Sequence, residues 1–124
     1  MMDFKVDKYE NYSIALVGNE KVDSSLAPEL KSEFMKIAQD GVKSLIVDMS
    51  AVKYVDSSGL SALLVGNRSF SGAGVFVLFN VTDHVMKLIN ISQLDKVMNI
   101  VATQGEAADF VLMAEIQKGA GAEE

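Results

Sequence analysis

The sequence predicts an α/β domain in which about four helices pack against a small β-sheet. Short apolar runs alternate along the chain with segments whose apolar residues recur at helical spacing. Two of the runs, residues 44–49 and 75–79, are continuous, as expected of central strands covered on both faces. Residues 4–6 and 13–17 look like short strands joined through the polar stretch 8–11, which predicts an N-terminal hairpin.

The first helix is predicted from its capping residues and its apolar stripe. Ser24 and Ser25 are expected to cap its start, Pro28 fits its first turn, and Gly41 marks its end. The residues of the stripe are Leu30, Phe34, Ile37 and Ala38. This pattern indicates an amphipathic helix that packs on the sheet.

Two further helices follow the central strands. The second begins at the turn Asp56-Ser57-Ser58-Gly59 and ends near residues 71–72. Its apolar positions are Leu60, Leu63, Leu64 and Phe70. Thr82 or Asp83 is expected to cap the third helix. Its apolar positions are Val85, Leu88 and Ile89.

The C-terminal part contains a short strand near residues 98–101 and a last helix near residues 106–115. Residues 1–117 are therefore assigned to one domain. The small and polar residues 118–124 are expected to form a disordered tail.

Composition narrows the classes of function. The chain has 124 residues, is 49% hydrophobic and contains no cysteine, which excludes disulfides, thiolate metal sites and a catalytic cysteine. Seventeen acidic against eleven basic residues give a net charge of -6, which disfavours nucleic acid and anionic membranes as partners. No apolar run is long enough to span a membrane, so we expect no membrane insertion and a cytoplasmic location.

The turn Asp56-Ser57-Ser58-Gly59 is the strongest candidate site. Asp and Ser side chains at a helix start ordinarily accept hydrogen bonds from the first free amides, so an N-cap alone would explain them. One cap residue would be enough, yet the turn has two serines, Ser57 and Ser58. Gly59 has no side chain, so another molecule could approach the backbone closely there. A phosphate on Ser57 would lie near the positive end of the helix dipole. The turn is therefore chemically suited to be a phosphoacceptor.

The segment 45–49, followed by Val55-Asp56-Ser57-Ser58-Gly59-Leu60, resembles the signature of STAS domains, specifically of bacterial anti-sigma factor antagonists. The order of elements and the chain length are similar to those of the whole family domain, whose fold is a small mixed β-sheet with an N-terminal hairpin. The usual Gly-Glu-Leu-Asp of one family loop is lengthened here to residues 18–23, which end in Asp23.

The resemblance implies a function and its partners. The serine after the aspartate, here Ser57, would be phosphorylated by an anti-sigma factor that is itself a serine kinase with a histidine-kinase-like ATPase fold. Asp23, Asp56, Ser58 and Gly59 would contact this partner together with Ser57. A PP2C-type phosphatase would reset the switch. The resemblance implies no enzyme activity, no cofactor and no metal.

Other functions would require other motifs. A serine hydrolase needs Gly-x-Ser-x-Gly, but Val55 stands two residues before Ser57 and His84 is the only histidine. Asp48 could suggest a phosphoacceptor receiver domain, yet a strand-end aspartate more often caps a local turn. Within the same family, a non-catalytic subunit of an ABC-type lipid or anion transport complex, or of a stress-signalling scaffold, remains the alternative.

Overall fold

The computed structural model describes residues 2–123, with side chains described as far as residue 117. The strands are β1 Phe4–Lys8, β2 Ser13–Val17, β3 Lys21–Val22, β4 Leu45–Asp48, β5 Tyr54–Val55, β6 Phe76–Phe79 and β7 Asn99–Val101. The helices are α1 Ala27–Gln39, α2 Ser57–Phe70, α3 Asp83–Ile91 and α4 Gln104–Glu123, with a short 3-10 helix at Leu94–Lys96.

The main sheet has five strands in the order β1-β2-β4-β6-β7. β1 pairs with β2 in antiparallel orientation, which confirms the predicted hairpin, and the remaining pairs are parallel. The sheet is therefore mixed, and four helices accompany it. This agrees with the predicted fold class.

The central strands are buried on both faces. Leu45 and Val47 of β4 belong to the larger apolar cluster, which includes residues of α1, α2 and α3. Ile46, between them, belongs to a second cluster with Ala107 and Val111 of α4. Because successive side chains of a strand point to opposite faces, α4 covers one face of the sheet and the other three helices cover the opposite face. This explains why the sequence of β4 is apolar at consecutive positions.

The helix starts differ from the predicted ones in their caps. Neither Ser24 nor Ser25 caps α1, because the N-cap position is Leu26 and its side chain makes no capping hydrogen bond. Thr82 does occupy the N-cap position of α3, but its hydroxyl donates to the carbonyl of Val52 at 2.8 Å instead. At α4, the hydroxyl of Thr103 accepts from the N–H of Glu106 at 3.2 Å, so the helix begins earlier than predicted.

The expected tail at residues 118–124 stays a prediction. Helix α4 has the bounds Gln104–Glu123, but the side chains from residue 118 onward, and residue 124 as a whole, lie outside the described part of the chain.

A second, two-stranded sheet was not predicted from the sequence. β3 and β5 pair in parallel, with Lys21 opposite Tyr54 and Val22 opposite Val55. Each strand has two residues, which is too short for an alternating pattern to stand out. This small sheet joins the loop before α1 to the loop before α2, and it organises the site described next.

Candidate functional site

Asp56 is the residue that starts α2. Its backbone is extended, with φ -110° and ψ -171°, and its Oδ1 accepts a hydrogen bond from the N–H of Gly59 at 2.9 Å. This is the geometry of an N-cap residue three positions before its donor. The predicted helix start is therefore confirmed, and the aspartate alone supplies the side-chain cap.

The two serines of the turn differ in exposure. Ser57, the first residue of α2, is exposed, whereas Ser58 is half-buried. Within the described residues, the Ser57 hydroxyl makes no hydrogen bond, because the cap that it could have provided is made by Asp56. Its position beside the first free amides of a helix of 14 residues favours an anion there. Of the two serines, Ser57 is the one open to another molecule.

Asp23 lies directly after β3 and shapes the turn into α1. Its Oδ1 accepts from the hydroxyl of Ser25 at 2.6 Å and from the N–H of Ser25 at 3.0 Å. These hydrogen bonds, the hydroxyl's first, lower the pKa of the Asp23 carboxyl. Its carbonyl accepts from the N–H groups of Leu26 and Ala27. The carbonyl of Asp23 thus satisfies the amides at the start of α1, where the serines were expected to cap, and the Asp23 carboxyl stays charged to a lower pH than an ordinary aspartate.

The small sheet places the two loops side by side. The carbonyl of Glu20 accepts from the N–H groups of Lys53 and Tyr54 at 2.8 and 3.0 Å. One step beyond the sheet, the N–H of Ser24 donates to Oδ2 of Asp56 at 3.3 Å. Asp56 therefore contacts both loops. The longer loop at residues 18–23 contributes β3, and the structure brings Asp23 next to the turn that carries Ser57.

Gly59 is buried, and the chain itself explains the absence of a side chain there. A Cβ at this position would collide with the backbone carbonyl of Val22. The close approach is thus made by β3 rather than by an outside molecule. The predicted part of Gly59 in partner binding stays a prediction, and its observed role is to let α2 pack against β3.

Tyr54 and His84 border the site, and sequence reasoning did not single out Tyr54. Their rings stack at a centroid distance of 6.2 Å and an interplanar angle of 19°, and Tyr54 is 43% exposed. Tyr54 is two residues before Asp56, so an exposed aromatic ring flanks the turn. A single tyrosine in a polar segment gives no indication in the sequence that its ring will lie beside a functional turn.

Asp48, the other aspartate considered as a phosphoacceptor, lies at the end of β4. Asp48 Oδ1 accepts from the N–H of Ser50 at 2.9 Å, which confirms its interpretation as a residue that caps a local turn. In the described part of the chain, no group of three or more His, Cys, Asp or Glu side chains is placed to hold a metal ion. No helix within residues 2–123 combines the length and apolar character required to cross a membrane.

Comparison with known proteins identifies the family. The model of the STAS domain matches residues 5–107, and the chain belongs to the STAS domain family. This confirms the resemblance seen in the sequence.

Solved structures share the fold. An anti-sigma factor antagonist from Mycobacterium paratuberculosis is 22% identical, with a TM-score of 0.80 over 90% of this chain and 94% of that one. The Bacillus cell fate determinant SpoIIAA, in its phosphorylated form, is 22% identical, with a TM-score of 0.65 over 86% of this chain and 97% of that one. The murine anion transporter Slc26a9 is 19% identical, with a TM-score of 0.71 over 86% of this chain but 18% of the transporter.

Proposed function

We propose that this protein is an anti-sigma factor antagonist whose binding is switched off by phosphorylation of Ser57. The observation that carries the proposal is the exposed hydroxyl of Ser57, at the first position of α2 and without a hydrogen bond to any described residue. A hydroxyl that serves as a cap would have to leave its place to react. This one is free because Asp56 makes the cap.

The unphosphorylated turn and the Asp23 loop together form the docking surface in this proposal. The partner is an anti-sigma factor with serine kinase activity, which has to bring Ser57 to the terminal phosphate of its own ATP. Docking of the antagonist releases the sigma factor. Support comes from the Ser24–Asp56 hydrogen bond, which links the loop of Asp23 to the turn of Ser57. Further support comes from structural relatives named as anti-sigma factor antagonists.

Phosphorylation reverses docking through charge. A phosphoserine adds about -1.5 to -2 charge beside the carboxylates of Asp56 and Asp23. The helix start stabilises the phosphate within the free antagonist. A partner surface that fits the neutral hydroxyl would have to remove water from the phosphate and the two carboxylates, which costs binding free energy. A loss of about 1.4 kcal/mol already weakens binding tenfold.

The remaining parts of the circuit lie outside this chain. The kinase supplies the nucleotide and metal, and a PP2C-type phosphatase hydrolyses phospho-Ser57 and restores binding. The antagonist acts as substrate and ligand, without catalysis or cofactor of its own, in the cytoplasm. The existence of a solved SpoIIAA in phosphorylated form is consistent with such a cycle in a structural relative.

A capture experiment from extract of the source organism tests the proposal. Immobilised wild type, Ser57→Ala and Ser57→Asp are incubated with extract, and bound proteins are identified by mass spectrometry. We expect a kinase of the histidine-kinase-like ATPase fold on the first two proteins and not on the third. After addition of ATP, a single phosphate should map to Ser57 of the wild type. Modification at Ser58 alone, or none, would contradict the proposal.

The second candidate is a non-catalytic subunit of an ABC-type transport complex or of a stress-signalling scaffold. The structural likeness to the murine anion transporter, where a STAS fold forms a minor part of a long chain, keeps it open. The same experiment separates the two functions. Capture of a transporter ATPase, equally by all three proteins and without phosphate transfer, would favour the second.

A further inference from the structure

Strand β1 lies at the edge of the main sheet, so some of its backbone N–H and C=O groups have no strand partner among the described residues. The N–H of Tyr9 donates to the carbonyl of Tyr12 at 2.8 Å, and the N–H of Gly18 donates to the carbonyl of Asp3 at 2.7 Å. Odd-numbered residues of this segment therefore bond to β2. Because alternate residues of an antiparallel ladder face alternate sides, Phe4, Val6 and Lys8 direct their backbone groups away from the sheet.

The charges on β1 lie symmetrically about Val6. Lys5 and Asp7 are exposed on the same face of the sheet, and their neighbours in β2 are the apolar residues Leu16 and Ile14. Within the described residues, neither takes part in a salt bridge. A lysine and an aspartate one residue to either side of Val6 make the strand self-complementary, since reversal of the strand places each charge opposite the other.

We propose that this edge binds a second copy of the chain, with the two β1 strands antiparallel about a two-fold axis at Val6. The two Val6 residues then exchange a pair of hydrogen bonds, and each Phe4–Lys8 pair exchanges another. Lys5 of one copy lies opposite Asp7 of the other at a non-hydrogen-bonded position, where side chains are closest. The outward backbone groups of Phe4, Val6 and Lys8 and the charges of Lys5 and Asp7 therefore favour the same register, with Val6 opposite Val6.

The register makes the edge selective. Charged side chains on an edge strand ordinarily prevent another strand from pairing with it. Here Lys5 and Asp7 should repel any strand that does not place an acidic residue opposite Lys5 and a basic residue opposite Asp7. On the α1 side, an open cavity of about 180 Å³ lies beside β1, with Val6, Ile37 and Val42 among its lining residues. Helix α1 therefore leaves space next to Val6. The occupant that fits both the charges and the backbone is another β1.

The dimer is weak and depends on concentration. A single strand pair of five residues is smaller than a stable protein interface of standard size. Each copy also has a net charge of -6, so the copies repel each other at long range. Association is therefore expected at micromolar to millimolar protein.

Sedimentation equilibrium of the full chain, over a concentration series up to the millimolar range, tests the proposal. We expect wild type to approach the mass of a dimer. Lys5→Asp and Asp7→Lys each place like charges opposite one another and should raise the dissociation constant at least about tenfold. The double swap Lys5→Asp/Asp7→Lys restores opposite charges and should restore association. The two single variants change net charge in opposite directions, so bulk repulsion cannot explain a loss in both.

Amide exchange by NMR locates the contact. With increasing concentration, exchange of the Val6 amide should slow, while amides near the exposed Leu112 and Ile116 of α4 should not change. Circular dichroism of each variant checks that it folds. Wild type that remains monomeric at every concentration, single variants that dimerise as well as wild type, or protection that maps to α4 would each overturn the proposal.

Discussion

The backbone N–H of Ser24 donates a hydrogen bond of 3.3 Å to the carboxylate of Asp56, 32 residues further along the chain. The other oxygen of the same carboxylate accepts from Gly59 at 2.9 Å. One side chain therefore holds the start of α2 and the loop that carries Asp23. Substitutions at Asp56 can separate these two contacts.

Asp56→Ala removes both contacts and should lower the free energy of unfolding by about 1 kcal/mol or somewhat more, the usual cost of a lost N-cap. Asp56→Asn retains one acceptor oxygen, so it can still cap Gly59 but cannot also accept from Ser24. We expect a smaller loss for Asn, together with NMR shift changes at residues 23–25. Urea unfolding measures the stabilities. Wild-type stability of the Ala variant would contradict the capping role.

Gly59→Ala should destabilise the fold, because the new Cβ would meet the carbonyl of Val22, and backbone cannot move aside as a flexible side chain can. Overpacking of this kind costs about 1–3 kcal/mol. Gly72→Ala is the matched control, since no heavy atom beyond its chain neighbours lies within 4 Å of a Cβ built there. Thermal or urea unfolding of both variants tests the difference. Equal effects at the two positions would show that the contact with Val22 is unimportant.

The pKa of Asp23 should rise toward its ordinary value in Ser25→Ala, because the hydroxyl of Ser25 makes the largest contribution to lowering it. A pKa lowered by folding stabilises the protein above the unfolded-state value, and this stabilisation is lost as the pH falls through the folded-state value. Ser25→Ala should therefore weaken the acid dependence of stability. Ser24→Ala is the control, since Ser24 contributes its backbone N–H. Carboxyl titration by NMR decides, and an unchanged pKa in Ser25→Ala would contradict the assignment.

Ser57→Asp should weaken binding to the purified kinase partner at least about tenfold, whereas Ser57→Ala should bind like wild type. Ser32→Asp, on the exposed side of α1, adds the same charge elsewhere and should leave binding unchanged. Titration calorimetry with each variant provides the measurement. Equal affinity of Ser57→Asp and Ser57→Ala would contradict a switch based on charge.

Much of the fold could be predicted because its signals are local. The continuous apolar residues of β4 and β6 predicted strands buried on both faces, and the stripe of α1 predicted the face that packs on the sheet. The start of α2 was also predicted, since Asp56 is a strong N-cap residue followed by a helical pattern. The choice of Ser57 over Ser58 as the phosphoacceptor depends on the family resemblance and stays a prediction; the structure shows that Ser57 is exposed and Ser58 half-buried.

The features that escaped prediction depend on contacts between distant residues. β3 and β5 are too short to show an alternation of apolar and polar residues, and each is a strand only because it pairs with the other. The hydroxyl of Thr82 donates to the carbonyl of Val52 and does not cap its own helix. Position 59 requires a glycine because a Cβ there would collide with the carbonyl of Val22. Local propensity favoured Ser24 and Ser25 as caps, but the backbone carbonyl of Asp23 accepts from the amides at the start of α1, and the Asp23 carboxylate accepts from Ser25.

The pairing of β3 with β5 also has a consequence for motion. Surface loops usually open and close independently, with amide exchange rates set by their own few contacts. Here residues 20–24 and 53–56 are hydrogen-bonded to each other. The carbonyl of Glu20 accepts from Lys53 and Tyr54, and the carboxylate of Asp56 accepts from Ser24. Neither segment can unfold locally without releasing the other. We therefore expect the two loops to open together as one cooperative unit, so that a molecule bound at either loop should slow amide exchange in both.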